Sequence, residues 1–367
     1  MIQKQRKILF ASLAAYPLFN EDIDEPHGGA ELDLFAIATR LDRRKFDVHF
    51  LVGDYGQEET ENRKGVTVHR GQKILASGIL QGLLNFFRLS RLIRTIDPDV
   101  IFTEAAGWLT VELIILKILL GKKIVFRSAH ENNINGFTDS RPYGRPYRWL
   151  INRIDCFILQ NDQDVRLLKT NFKYSKEAIV IRNLQDIPAE APLSEDGRRH
   201  ILWVGRSEKI KNPDLFVALS RRLPARTFVM IMPNTNDEIF EAIRSETEGL
   251  RNFSLIPGIR RDQIMTYFKE ALYFISTSVK EGFPNTIVEA MKHGTPVISA
   301  YLDYDRILTE KACGVVLGDS ADALASFIEN TDDAAWRSLS ANAHAFARDN
   351  FDIEKGINTY ERIFLQV

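Results

Sequence analysis

Twelve short apolar runs, each separated from the next by a helix-length stretch, constrain this chain more than any other feature. In the first half they are KILFAS (7–12), FDVHFLVG (46–53), DVIFTE (99–104), KIVFRSAH (123–130), CFILQN (156–161) and AIVIRN (178–183). In the second half they are HILWVGR (200–206), TFVMIMP (227–233), NFSLIPG (252–258), LYFISTS (272–278), PVISA (296–300) and GVVLG (314–318). Runs that are apolar throughout belong to strands buried on both faces, and strands alternating with helices pair in parallel. Two sets of about six imply an α/β chain of two doubly wound, Rossmann-like domains. The length of 367 residues also exceeds what one core serves. Residues 1–183 read as the first domain and 200–350 as the second. Residues 184–199, rich in Pro, acidic and small residues, read as the linker. Near the end, Phe351, Ile353, Ile357, Tyr360, Ile363 and Phe364 recur at near-helical spacing.

Composition narrows the function classes. The N-terminal MIQKQRKILFAS reads as a short basic entry into a strand, not as a secretion signal. The most apolar stretch, VELIILKILLG, carries Glu112 and Lys117 and is too short to span a bilayer. Cys156 and Cys313 sit in apolar runs and suggest buried thiols in a reducing, cytoplasmic setting. The net charge of −1 hides an asymmetry: residues 1–183 hold 27 Lys and Arg against 22 Asp and Glu, residues 184–367 hold 21 against 27. A basic first half leans toward anionic partners such as a phospholipid surface or a lipid-linked diphosphate. It lacks the dense stripe with interleaved aromatics that nucleic acid would require, so no nucleic-acid partner is expected.

The segment EGFPNTIVEAMKHGTPVISA (281–300) carries the clearest chemistry. Pro284 and Asn285 suit a helix start, and Gly294 before Pro296 suits its stop. The N–H groups of Asn285, Thr286 and Ile287 would point out of the helix N-terminus, which favours phosphate. Glu281 precedes that end and Glu289 lies about one turn inside. Two acceptor-only side chains beside a phosphate cradle fit neutral hydroxyls of a sugar or ribose. After the first strand of the second domain comes GRSEKIKNPDLF. Arg206 and Lys211, five residues apart before a helix, can neutralise a diphosphate. In the first domain Gly28 and Gly29 open an amphipathic helix, where a ligand can approach the backbone closely. The loop 13–27 before it, with Tyr16 and Phe19, is expected as an acceptor-side flap. His130 ends a strand candidate, on the side where open sheets bind ligands. The other six histidines have surface or capping explanations. Asn161 and Asn183 end strands and read as structural caps.

Glu281 and Glu289, with the Gly-Phe-Pro-Asn-Thr interior, resemble the donor-site motif of GT-B retaining glycosyltransferases of family 4, the glycosyl transferases group 1. The resemblance implies two Rossmann-like domains facing a central cleft, with the helix 351–367 packing back on the first. It implies that Glu281 faces the donor sugar, Glu289 holds the ribose, and Arg206 and Lys211 hold the nucleotide diphosphate. Phe283, Pro284, Asn285 and Thr286 belong to the same donor motif. Gly28 and Gly29 would lie beside the donor phosphates, and His130 would hydrogen-bond the transferred sugar. Glu131 and Asn132 would shape the acceptor side, with Asp139 and Arg141 as weaker candidates. Where the family has Gly after the Lys, this chain has Asn212.

The implied reaction moves a hexose or N-acetylhexosamine, with UDP ahead of GDP as the carrier. The acceptor would be a lipid-linked oligosaccharide, surface polysaccharide or lipopolysaccharide at the inner face of the cell membrane. No cofactor and no metal are expected. Asp97-Pro-Asp99 and Asp303-Tyr-Asp305 spell Asp-x-Asp, the metal motif of the other glycosyltransferase architecture, but each lacks a third ligand. Two basic stretches bear on peripheral membrane contact: 78–96, read first as an ordinary sheet-covering helix, and Arg141, Arg145, Arg148 and Arg153 with Tyr143, Tyr147 and Trp149. A nucleotide-sugar epimerase of the same architecture and a non-catalytic scaffold of a glycosylating complex stay open as alternatives.

Overall fold

A computed structural model of the protein describes residues 4–23, 28–72, 79–128, 130–190, 192–281 and 283–367. The chain forms two compact units, one of Met1–Arg182 with Glu354–Val367 and one of Asn183–Ile353.

The first unit is built on an eight-stranded sheet. Its strands are β1 (Arg6–Ala11), β2 (Phe46–Val52), β3 (Thr60–Arg63), β4 (Val66–Arg70), β5 (Val100–Glu104), β6 (Lys123–Arg127), β7 (Cys156–Leu159) and β8 (Glu177–Val180). They run in the order β3-β4-β2-β1-β5-β6-β7-β8. Every neighbouring pair is parallel except the β3/β4 hairpin. That hairpin corrects the expectation of six strands in this half. Its Lys64-Gly65 turn has positive φ at both residues, 50° and 76°, as a tight two-residue hairpin requires.

Helices Ile79–Ile96, Trp108–Leu120 and Gly144–Leu150 share one core with this sheet. Leu89, Ile93 and Ile96 from the first, Leu113 and Ile114 from the second and Tyr147 from the third join Ile101, Ile124 and Phe126 there. Burying each such side chain is worth about 1.5–3 kcal/mol. The C-terminal helix Ile353–Gln366 adds Phe364, whose ring lies 5.3 Å from that of Phe102, and Glu361, which pairs with Lys45 at 2.6 Å. Residues 13–19 are helical, and Tyr16 and Phe19 are buried. Phe19 packs edge-on to Phe35 and Phe50. These two aromatics are core and not an acceptor flap; residues 24–27 of that loop lie outside the described residues.

The second unit carries six strands: β9 (His200–Val204), β10 (Phe228–Ile231), β11 (Phe253–Ile256), β12 (Ala271–Ser276), β13 (Val297–Ser299) and β14 (Gly314–Val316). The order β11-β10-β9-β12-β13-β14 is parallel throughout. The chain starts in the middle, winds to one edge, returns and winds to the other. The winding reverses between β9 and β12. Residues 184–199 count with this unit. Arg198 ties them down: it is buried, donates to the carbonyls of Ala271, His293 and Gly294 and to Thr295 Oγ1, and lies over Trp336.

Cys156 and Cys313 are free and buried, and burial pushes both thiols up to about 12. Among the described residues, no helix is long and apolar enough to cross a membrane.

Candidate active site

Open parallel sheets bind ligands beyond the carboxyl ends of their strands, where the winding reverses. In the second unit this point lies between the loop after β9, which holds Arg206 and Lys211, and the loop after β12, which holds Glu281. The Lys211 ammonium forms an ion pair with the Glu281 carboxylate. Ser278 Oγ donates to the same carboxylate oxygen at 3.0 Å. The two loops are joined by their backbones as well, since Val279 N–H donates to the Ile210 carbonyl at 2.9 Å. Trp203 Nε1 donates to Thr277 Oγ1, which donates on to the Lys211 carbonyl at 2.6 Å. A cation and a carboxylate, each about one-fifth exposed (19% and 18%), are thus held at a fixed place at the sheet's ligand-binding edge.

Asn212 follows with φ 46° and ψ 58°, left-handed backbone directly before Pro213 opens the helix Pro213–Arg222. Glycine adopts this conformation without strain, and Asn is among the few other residues that do. Asn212 therefore adopts a backbone conformation that a glycine at this position would also accept. Its side chain also donates to Tyr301 Oη at 3.2 Å. Arg206 is exposed and pairs with Glu208 at 3.2 Å.

The helix Asn285–Lys292 starts where the sequence places it, with Pro284 extended at its N-cap. Gly294, at φ 64°, ends it. Pro284, Asn285 and Thr286 are partly exposed. The Ile287 N–H is not free as expected, because it donates to the Pro284 carbonyl at 3.1 Å in a tight first turn. Among the described residues, the N–H groups of Asn285 and Thr286 have no such bond. The Phe283 side chain packs into the core against Phe351. Glu289 is buried on the inner face of the helix.

Asn183 is more than the cap it reads as. Buried, it donates to the Phe283 carbonyl at 3.0 Å and to Asn285 Oδ1 at 2.9 Å, bracing the turn before the helix. Asn161 does cap a helix, accepting from Asp164 N–H at 2.7 Å. Ser278 and Asn183 are the site-forming residues that the sequence did not disclose. The run of hydroxyls after β12 was a signal for Ser278. Asn183 lies 102 residues from Asn285 and gives none.

In the first unit the winding reverses between β1 and β5. Gly28 caps the helix Gly29–Arg40, and its N–H donates to Glu31 Oε2 at 2.9 Å. A Cβ on Gly28 would come within 2.6 Å of that oxygen, so the absent side chain makes room for the cap. His130 is exposed, and its Nδ1 accepts from the Asn132 N–H at 3.0 Å. In the neutral imidazole that bond places the proton on Nε2. Arg127, at the end of β6, is buried and pairs with Asp33 at 2.8 Å and Glu104 at 3.6 Å. Burial drives the Glu104 carboxyl well above the usual carboxylate range.

The Asp-x-Asp pairs hold structure. Asp97 pairs with Lys122, Asp99 accepts from the Lys7 N–H, and Asp303 accepts from the Leu308 and Thr309 N–H groups. Among the basic residues Arg148 is engaged by Asp139 and Phe172, and Tyr147 is fully buried. The surface reading also fails for His69 and His200, which are buried; His69 contacts His49 and His200 contacts the Tyr267 carbonyl. His27 lies outside the described residues.

Comparison with known proteins bears on the family and the fold. Residues 27–186 match the family model Glycosyltransferase Family 4, and residues 198–331 match Glycosyl transferases group 1. Over 181 residues the chain is 26% identical to D-inositol 3-phosphate glycosyltransferase of Xylanimonas cellulosilytica, covering 46% of this chain and 41% of that relative. Sucrose-phosphate synthase from Thermosynechococcus elongatus superposes with a TM-score of 0.76 at 16% identity, over 99% of both chains. A glycosyltransferase from Rickettsia africae gives 0.76 at 14%, over 99% of this chain and 98% of that one. An α,α-trehalose-phosphate synthase (UDP-forming) from Burkholderia xenovorans gives 0.69 at 12%, over 98% and 100%. The two α/β units form the GT-B fold. With one family model matching in each unit, the chain belongs to the family-4, group 1 glycosyltransferases.

Proposed function

We propose that the protein transfers a hexose or N-acetylhexosamine from a nucleotide-diphosphate sugar to a lipid-linked oligosaccharide, surface polysaccharide or lipopolysaccharide acceptor. The observation that carries this reading is the Lys211–Glu281 pair, braced by Ser278 at the reversal point of the second sheet beside the Asn285 helix start. UDP is the favoured carrier, in keeping with the UDP-forming synthase among the structural neighbours.

In the proposed reaction Lys211 and Arg206 hold the diphosphate and stabilise the charge that grows on it as the sugar–oxygen bond breaks. Glu281 accepts hydrogen bonds from the sugar hydroxyls and Glu289 from the ribose. The N–H groups of Asn285 and Thr286 add donors for phosphate oxygens. His130, through Nε2–H, donates to the transferred sugar. The acceptor hydroxyl attacks the anomeric carbon from the face the diphosphate leaves, so configuration is retained. Its proton passes to the departing diphosphate oxygen. Cationic side chains and helix N–H groups take the place a metal ion would otherwise fill. The acceptor would be met at the inner face of the cell membrane.

Thermal unfolding with UDP, GDP, ADP and CMP and their sugars, with and without EDTA, tests this reading. Ligand at about 100 times its Kd stabilises by about 2.7 kcal/mol. An EDTA-insensitive shift with one nucleotide class is expected. Absence of any shift would favour the scaffold, and donor turnover without acceptor would favour an epimerase.

A further inference from the structure

The first unit exposes apolar side chains that its own fold leaves uncovered. Trp149 is 80% exposed, Leu119 66% and Ile118 48%. With Ile115, Leu150 and Arg153 they line a pocket of about 300 Å³ between the Trp108–Leu120 and Gly144–Leu150 helices. The same helical layer exposes Leu80, Leu83, Leu84 and Phe87, a stripe at helical spacing beside the exposed Arg88 and Arg91. The expectation of an ordinary sheet-covering helix there holds for the C-terminal half, where Leu89, Ile93 and Ile96 are buried, but not for the N-terminal half.

The stretch of chain that supplies the pocket is rich in cations, although Arg127 and Arg148 within it are paired with carboxylates. From Lys117 to Lys176 the chain carries twelve Lys and Arg against five Asp and Glu, in a protein of net charge −1. Asp155, two residues beyond the pocket-lining Arg153, is committed to Lys117 at 3.1 Å and to the Ile124 N–H at 2.8 Å. Lys176 stands 4.0 Å from it. Lys117 also donates to the Arg153 carbonyl at 2.6 Å. Among the described residues, the exposed Arg153 and Lys123 have no carboxylate partner.

We propose that this face docks on an anionic phospholipid bilayer, with Trp149 and Leu119 entering the interface and Arg153, Lys123 and Lys176 meeting the headgroups. An apolar pocket takes acyl chain, an exposed Trp suits the interfacial zone, and a surplus of cations complements lipid phosphate. A protein partner would meet the cations with matched carboxylates; a bilayer presents a continuous anionic plane. The inference deepens the reading of a membrane-borne acceptor and rests on it for its biological purpose, while the docking itself is independent of the donor.

The test is co-sedimentation of the full chain with phosphatidylcholine vesicles and with vesicles containing phosphatidylglycerol, at low and high salt. Binding to the anionic vesicles alone, weakening with salt, is expected. Lys123→Glu with Arg153→Glu should lower partitioning at least about fivefold per cation. Trp149→Ser with Leu119→Ser should abolish it at unchanged charge. Both pairs are exposed, so folding should survive; circular dichroism and the nucleotide-induced thermal shift verify that. No binding to anionic vesicles, or binding untouched by both variants, overturns the proposal. An intact nucleotide shift in that case leaves the proposed function standing.

Discussion

The two units share one plan of winding and use their charged side chains in opposite ways. At the reversal point of the second sheet, Lys211 and Glu281 stand part-exposed on loops. At the head of the first sheet, Arg127 is buried, with 2% of its side chain exposed, between the buried Glu104 and the part-exposed Asp33. A charge held in water's reach can exchange its partner for a ligand. A charge held inside can only hold the fold, because removing its partner leaves it uncompensated at low dielectric. The same plan of winding thus carries one unit with an ion pair on its loops and another with an arginine folded into its interior.

The largest effect should come from breaking the inner cluster. Arg127→Met leaves the Asp33 carboxylate without its buried cation and should cost about 3–5 kcal/mol. Urea unfolding measures it. A loss below 1 kcal/mol would show that the cluster does no more than a surface ion pair. Next comes the outer pair. Lys211→Met should reduce kcat by about 10²–10³. Glu281→Ala should reduce transfer to a similar degree while free UDP still binds. Equal loss of UDP affinity in both variants would contradict their separate roles.

A smaller effect sharpens the comparison at a single backbone position. Asn212→Gly should be tolerated, because Gly accepts φ 46° freely. Asn212→Val should cost about 1–2 kcal/mol, the strain of left-handed backbone in a β-branched residue. Similar melting temperatures for the two would remove the conformational account of this position.

These contrasts also explain what the sequence disclosed. All six strands of the second sheet were legible as short, mostly apolar runs between helical stretches, and β10, β12 and β13 are buried throughout. The β3/β4 hairpin was not. β3 is TENR, an exposed edge strand whose polar residues carry no alternating pattern. Its one signal was the Lys64-Gly65 turn before the alternation of Val66 and Val68. The helix of the candidate donor motif was legible for a related reason: Glu281 through Glu289 are contiguous, and its start and stop are written in Pro284, Asn285 and Gly294. What was missed is long-range. Asn183 reaches Asn285 across the fold, and Tyr16 and Phe19 look like loop residues until Tyr55 packs on the first and Phe35 and Phe50 on the second. Sequence patterns report which face is buried; they do not report which distant side chain fills a given gap.

The smallest expected effect concerns a carboxylate of the first unit. Glu112, on the Trp108–Leu120 helix, is pushed up by burial to about 7 from an ordinary 4.5. Its Oε2 has no hydrogen-bond partner among the described residues. Glu281, by contrast, has both Lys211 and Ser278. A folded pKa above the unfolded one means that the folded state holds the proton more tightly. The stabilisation is therefore complete below about 4.5 and is lost as the pH rises through about 7. Glu112→Gln removes the titration, so its melting temperature should exceed that of the parent protein by a few degrees at pH 8. The gap should close toward pH 5. A variant whose melting curve tracks the parent at every pH would place Glu112 in water's reach after all, and would erase the contrast between a part-buried acid with an unpartnered oxygen and the paired Glu281.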